Sequence, residues 1–433
     1  MLRALLKSAL AGMLLAYGAI LSAAPQGEIS YEVQPADTLY DLTAEYLNNP
    51  AALAEVRRLN RVRNPRLMQI GRVLKIPRRL LKYRPADLEL QSFSGAVRIT
   101  QGGQVIPPAL GLALLEGNEI STGRNSFVSI AGRGASQVSI PSNSRVRIVD
   151  ARRYLINDEI DIQLRVLEGR GEVVAPPVEG DGRYRVGTPI AVTAVRGTGF
   201  RVAFVPDDER NLTEVVEGQV LVAAGNDEQI TEVGFGVAAA ADGISEPQEL
   251  LPAPELVEPG RIQTAAISEF QIEPVAGASR YRTQLARDAG FIEIVAEIFG
   301  EATLAQFPEL EDGRYFVRSR AVSEIGLEGF SKAYSFRRKR AGVTASAEPS
   351  ELEDAFKFAW RSQGDGEVFY AFQLWQSGQP NQLLVDEVAL RNTAVLVSEL
   401  ESGEYRWRVA SFQIDEGDII KVWGPVQELT IAD

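Results

Sequence analysis

Apolar residues change their spacing several times along the chain, and each change predicts a different element. Ile29, Tyr31 and Val33 alternate with polar residues, which predicts a half-buried strand. Leu39, Leu42, Tyr46 and Leu47 then fall at helical spacing, as do Leu53, Val56 and Leu59. Asp37 is the expected N-cap of the first helix. Asn49 is the expected cap of the second, with Pro50 at its favoured first position. Val73 and Leu74 open a short strand that Pro77, lacking an amide, can end. From about Phe93 to Ala240 short runs of Val, Ile and Phe alternate with polar residues between Gly, Asn, Asp and Pro. That texture predicts a β-sandwich, barrel or roll.

Glu246 to Gly260 is rich in Pro and Glu and reads as a stiff linker. Beyond it the run Glu309-Leu310-Glu311-Asp312-Gly313-Arg314-Tyr315-x-x-Arg318 returns as Glu399-Leu400-Glu401-Ser402-Gly403-Glu404-Tyr405-x-x-Arg408, a period of 90 residues. Alternating strands precede each copy, which fits two immunoglobulin-like β-sandwiches. Tyr315, Tyr405, Trp360 and Trp407 are expected in cores, whereas Trp375 and Trp423 are candidates for the surface. Arg337-Arg338-Lys339-Arg340, between the copies, reads as a solvated linker.

Composition narrows the function. Arg3 and Lys7 precede an almost wholly apolar stretch, Ser8 to Ala24, that closes on Ser22, Ala23 and Ala24. This is the layout of a secretory signal peptide, with an uncleaved membrane anchor as the alternative. No later segment is apolar enough to span a membrane. The net charge of −13 becomes about −15 once Arg3 and Lys7 leave with residues 1–24, which argues against a nucleic-acid partner. The chain has no Cys and no His. Disulfides, thiolate metal sites and histidine-ligated zinc are therefore excluded, as are His-dependent triads. Carboxylate-only chemistry such as glycoside hydrolysis stays open in principle.

The run Tyr31-x-Val33 with Asp37-Thr38-Leu39, then Asn60, Asn64-Pro65 and Gly71-x-x-Leu74-x-Ile76-Pro77, resembles a LysM domain. The resemblance implies a βααβ fold binding N-acetylglucosamine polymers, above all peptidoglycan, in a shallow groove between the strand–helix and helix–strand loops. Carried onto this sequence, it implies a groove lined by Asp37, Thr38, Leu39, Asn64, Arg66, Leu67, Met68 and Ile70. Each has a plainer reading as well: Asp37 as a helix cap, Leu67 and Ile70 as partly core. Ala36 departs from the family, which usually has Gly there. From Ala51 to Arg84 there are eleven basic residues against one acid, Glu55. They fit attraction to an anionic envelope polymer equally with a solvated helix face followed by a basic linker.

Leu115-Glu116-Gly117-Asn118-Glu119-Ile120-Ser121-Thr122-Gly123, Leu167-Glu168-Gly169-x-Gly171-Glu172-Val173, Thr188-Pro189 and Val195-Arg196-Gly197-Thr198-Gly199-Phe200 resemble a FecR domain. That family was named for periplasmic regulators that relay signals toward a membrane-associated sigma factor. Arg196 is a candidate carboxylate ligand, or a β-turn lock. The Leu-x-x-Gly-x-Tyr-x-x-Arg repeat resembles the fibronectin type III pattern, in which the Tyr packs at a sheet corner.

The sequence therefore predicts a mainly β protein: signal peptide 1–24, LysM module 29–78, FecR-like β-sandwich or roll 93–240, linker 246–260, and sandwiches 261–338 and 350–432. The expected function is that of an exported, non-catalytic scaffold in the periplasm, associated with the cell wall. Its partners would be peptidoglycan and an unidentified envelope protein, without cofactor, metal or nucleic acid. A FecR-type signal-sensing regulator and a LysM-targeted wall hydrolase are the alternatives.

Overall fold

A computed structural model describes residues 27–132, 136–175, 180, 182–195, 197–352 and 354–432. Residues 1–24, where the sequence predicts a signal peptide, and Arg196 lie outside the described residues. The chain divides into two compact units, the first taking residues up to Arg84 together with Arg152–Ile160.

In the first unit the elements run β1 (Glu28–Glu32), α1 (Leu39–Tyr46), α2 (Ala52–Leu59) and β2 (Val73–Pro77). This is the expected βααβ order. The two strands pair antiparallel with Tyr31 opposite Leu74, and their inward residues Ile29, Leu74 and Ile76 meet Leu39, Leu42 and Val56 from the helices in one core. Residues 152–160 add Tyr154 and Ile156 to that core, with the buried Arg78 guanidinium 5.4 Å over the Tyr154 ring. Nothing in the local pattern signals this, because the segment lies some seventy residues downstream, inside the central β region. The cap of α1 is Thr38, whose hydroxyl accepts from the Asp41 amide at 3.1 Å; Asp37 is not the cap. Helix α2 starts at Ala52, and Asn49 Oδ1 accepts from the Ala51 amide at 2.9 Å one turn earlier.

The second unit begins with two sheets that share one long strand, β3 (Ile160–Val174). Its first half, Asp161–Arg165, pairs parallel with Arg183–Gly187. Its second half, Gly169–Val174, pairs antiparallel with β4 (Gly199–Val205). The strand changes sheets at Gly169, where φ is +74° and a Cβ would lie 2.4 Å from the Asn143 carbonyl. Only glycine fits that corner. Strand β5 (Arg210–Glu217) continues the second sheet beside β4.

The first sandwich packs Ile267–Gln271 and Leu304–Pro308 against a four-stranded sheet. That sheet runs β7 (Ile294–Gly300), β6 (Ala278–Ala286), β8 (Gly313–Ser323), β9 (Glu328–Arg338). The second sandwich repeats the plan: Gly342–Pro349, Ala355–Gln363 and Ala394–Ser398 face a sheet centred on β10 (Gly403–Asp415). In both, the repeat tyrosine turns back on the chain: Tyr315 donates to the Glu311 carbonyl at 3.1 Å and Tyr405 to the Glu401 carbonyl at 2.8 Å. This is the sheet-corner role that the repeat suggested. Trp360, Trp407 and also Trp375 are buried; Trp423 is partly exposed, with the Arg408 guanidinium 4.1 Å from its ring.

The connections between the β regions are docked. Gln248–Glu249 in the Pro/Glu-rich stretch pairs with Phe235–Gly236, and Leu250 and Leu256 are buried. The Arg337–Arg340 run is not a solvated linker. Arg338 is buried and donates to the Gln263 carbonyl at 2.8 Å, Lys339 reaches Asp312 at 2.9 Å, and Arg337 pairs with Asp418 at 2.8 Å.

The central β region and the first sandwich meet over a charged layer flanked by two apolar clusters. One cluster joins Ala203 and Leu212 to Leu250 and Leu327; the other joins Phe127 to Ala286, Phe291 and Ile294. Between them Arg201 Nε bonds Glu214 at 2.8 Å, and Arg170 bonds Glu214 at 3.1 Å and Glu328 at 3.2 Å. Arg282 Nε bonds Glu328 at 2.6 Å, and Arg320 Nη2 bonds Glu172 at 2.8 Å. Burial opposes the charge on Glu328, but Arg170, Arg282, Arg320 and Arg201 hold its carboxyl well below the usual range. A layer of this kind fixes how two faces register, because any slip leaves a buried charge unpaired.

Candidate functional site

Two loops of the first unit carry the residues of the candidate site. The β1–α1 loop carries Asp37 and Thr38; the α2–β2 loop carries Asn64 to Ile70. The Leu39 amide donates to the Pro65 carbonyl at 2.8 Å and joins them directly. The second loop is anchored further by Gly71 N to the Val33 carbonyl and Val33 N to the Arg72 carbonyl, both 2.9 Å. Asn60 fastens its start, accepting from the Lys75 amide at 2.7 Å and donating to the Val56 carbonyl at 2.9 Å. Backbone bonds with so little slack hold both loops in one shape.

The first loop is turned by Ala36, which sits at φ +74°. That is left-handed backbone, costly for a residue with a Cβ, and it explains in physical terms why Gly suits the position. Asp37 closes the turn by accepting from the Gln34 amide at 2.7 Å and the Tyr31 hydroxyl at 2.9 Å. Burial, then the bond to Asp37 and its charge, push the Tyr31 phenol well above its ordinary value.

The eight residues implied by the resemblance do not share one role. Leu39 is 1% exposed and belongs to the core, so it joins the two loops through its amide and offers no side chain at the surface. Met68 is partly buried against the same core. Asp37 and Thr38 are half-buried, while Asn64 and Arg66 are exposed. Leu67 and Ile70 are 76% and 62% exposed, so the partly-core reading of those two is corrected. Asn64 Oδ1 accepts from the Arg66 amide at 3.0 Å and shapes the loop from within. Asp37 and Thr38 on the first loop and Leu67 and Ile70 on the second thus offer polar groups and exposed apolar tips from two loops that the Leu39–Pro65 bond joins.

Two concavities on this unit lie along the helices. One, of about 520 Å³, is lined by Leu53, Ala54, Val62, Arg57, Arg58, Arg61 and Arg63. The other, of about 570 Å³, runs from Tyr40 to Ala54 and Lys82. The basic run divides accordingly. Lys82 and Arg79 are tied to the Ala44 carbonyl and to Glu55, and Arg84 bonds Asp158 at 2.8 Å. Arg58, Arg61, Arg63 and Arg66 are exposed without an ion pair among the described residues.

The LysM domain model matches residues 31–77, the span that holds both loops and both strands. The chain carries a LysM domain. A FecR protein model matches residues 118–221, so the LysM domain is followed by a FecR domain in the two-sheet region that shares β3. No curated protein matches the sequence. Among solved structures, a candidate anti-sigma factor from Parabacteroides distasonis aligns at 19% identity over 30% of this chain, with a TM-score of 0.26. The match spans 59% of that protein's length. A two-domain fibronectin type III segment of chicken tenascin aligns at 13% identity over 42% of this chain and 100% of its own, with a TM-score of 0.22. Likenesses this loose carry no functional argument. No helix among the described residues is long and apolar enough to cross a membrane.

Proposed function

We propose that this chain is an exported, non-catalytic envelope protein that grips peptidoglycan in the trough of its LysM domain. The observation that carries the reading is the Leu39–Pro65 bond, which locks two loops while leaving Leu67 and Ile70 in solvent. An N-acetylated amino sugar offers an amide, a methyl and a ring face. A trough with fixed backbone polar groups, short polar side chains and exposed apolar tips is complementary to all three. Its openness along the loops suits a polymer, which must enter from the side. Asp37, Thr38, Asn64, Arg66, Leu67, Met68 and Ile70 would line the glycan, with Leu39 contributing through its backbone.

In this reading the FecR domain and the two sandwiches are a stiff spacer in the periplasm that presents surface to an envelope protein. The docked linker and the buried charged layer suit that task, since both resist bending. The FecR match supports a second reading, a signal-sensing regulator. Fractionation distinguishes them: a regulator keeps residues 1–24 and pellets with membranes, whereas a scaffold is recovered without them.

Retention on purified peptidoglycan sacculi tests the proposal. Leu67→Glu with Ile70→Glu alters only exposed tips, so the fold is retained. Loss of roughly tenfold in bound protein, about 1.4 kcal/mol, is expected. Equal retention of both proteins contradicts the assignment, and a clearing band on zymography would favour a hydrolase.

A further inference from the structure

The charged layer between the FecR domain and the first sandwich holds one cation more than it has anions. Five guanidinium groups, those of Arg170, Arg201, Arg282, Arg318 and Arg320, share four carboxylates, those of Glu172, Glu214, Glu297 and Glu328. Arg318 is the least well served. Its Nη2 reaches Glu172 only at 3.2 Å, and its closer bonds, 2.9 and 2.7 Å, go to the neutral Gln284 side-chain oxygen. Burial and the like charge of Arg320 push the Arg318 guanidinium down to about 9, against the pull of Glu172. Arg320 is 3% exposed, and its Nε is buried with no hydrogen-bond partner among the described residues.

A cavity of about 250 Å³ opens beside these two arginines. Arg201, Arg318, Arg320 and the Glu172 carboxylate that pairs with the latter two are on its wall, and Phe200, Val216 and Phe330 supply much of the apolar remainder. Phe291 also lines it, with the Arg318 guanidinium 4.1 Å over its ring. An unbalanced buried cation is costly, and an anion that displaces water from the cavity would offset that cost. The apolar wall is poorly matched to a bare inorganic ion and well matched to an acid with a bulky apolar body.

We infer that this cleft is a binding site for a carboxylate borne on an aromatic or branched apolar group, with Arg318 and Arg320 as its anion-binding pair. A free apolar acid and the C-terminal residue of a peptide share that chemistry. The site is built from residues of the second unit alone and draws on none of the LysM loops.

Calorimetric titration of the full mature chain with N-acetyl-L-phenylalanine, its amide and N-acetyl-Ala-Ala-Phe tests the inference. The acid is expected to bind at least tenfold more tightly than the amide. A tighter tripeptide points to a peptide terminus, and an equal one to a free acid. Arg318→Met removes the cation and should abolish the preference for the acid. Because that change touches the buried layer, Ser331→Trp provides an independent test: Ser331 lines the cavity and is exposed, so the bulky ring blocks the cleft without disturbing the charges. Equal binding of acid and amide, no binding of the acid by roughly 10 mM, an affinity too weak to be a built site, or undiminished binding to the Ser331→Trp protein would each overturn it.

Discussion

Arg282 on β6 reaches across β8 to bond Glu328 on β9 at 2.6 Å, and neither side chain ends its interactions there. The same Glu328 carboxylate meets Arg170 of the FecR domain, so one buried anion serves both partners of the junction. Glu328→Ala leaves Arg170, Arg282 and Arg320 competing for too few carboxylates. A loss of about 3–5 kcal/mol is expected, the range for breaking a buried pair by removing one partner. Urea unfolding of the FecR–first-sandwich segment, followed by far-ultraviolet circular dichroism, measures it, and a loss below about 1 kcal/mol would show that the layer is dispensable.

The pH dependence follows from the direction of the Glu328 shift. Its folded carboxyl is held well below the ordinary value of 4.5 by Arg170, Arg282, Arg320 and Arg201. A depressed carboxyl contributes stability that is fully present above the unfolded value and disappears as pH falls through the folded one. Junction stability is thus expected to be flat with respect to this group above about pH 5 and to fall in acid. Glu328→Gln should lower the plateau and flatten the acid limb. An acid limb of unchanged slope would exclude Glu328 as its source.

Ala36 stands in left-handed backbone at φ +74°. Ala36→Gly removes a strain of about 1–2 kcal/mol and gives back about 0.5–1 kcal/mol in unfolded-chain entropy. A net gain of about 0.5–1 kcal/mol in LysM stability is expected, read as a rise in that domain's Tm. A fall in Tm would mean that the turn is not built as described.

Thr38 and Asp37 are neighbours with different duties, and their alanine variants should differ accordingly. Thr38→Ala removes the cap of α1 and should cost about 1 kcal/mol, with a matching loss of helical circular dichroism on warming. Asp37→Ala leaves the cap in place and releases the Tyr31 hydroxyl, so the Tyr31 phenol should titrate closer to its ordinary range. A helix that frays more in the Asp37 variant would reverse the assignment.

How far the sequence could be read depended on whether an element's partners were near in the chain. The βααβ module was legible because its strand, helices and closing Gly-x-x-Leu-x-Ile-Pro follow one another without interruption. The repeat tyrosines were legible for the same reason: each bonds a carbonyl four residues upstream. The choice between Asp37 and Thr38 as cap was not, since both are good capping residues and only the Ala36 turn decides which one faces the helix. Arg318, Ser319 and Arg320 alternate as a solvent-facing strand would, and no local pattern signals that a second domain covers that face. The Arg337–Arg340 run is illegible for the same reason, because its acids, Asp312 and Asp418, belong to other segments of the two sandwiches. Leu67 and Ile70 fit a partly core reading in the sequence because apolar residues usually are buried, and only the fold exposes them.

The trough itself is tested most directly by the backbone amide resonances of residues 36–39 and 64–71 during titration with a chitin tetramer or soluble murein fragments. A bound glycan is expected to shift these two groups together and to leave the α2 amides near Arg57 in place, with saturation in the millimolar range or below, roughly −4 kcal/mol or better. Loop resonances that stay fixed while the sugar reaches several times that concentration, or shifts confined to the α2 face, would contradict the account.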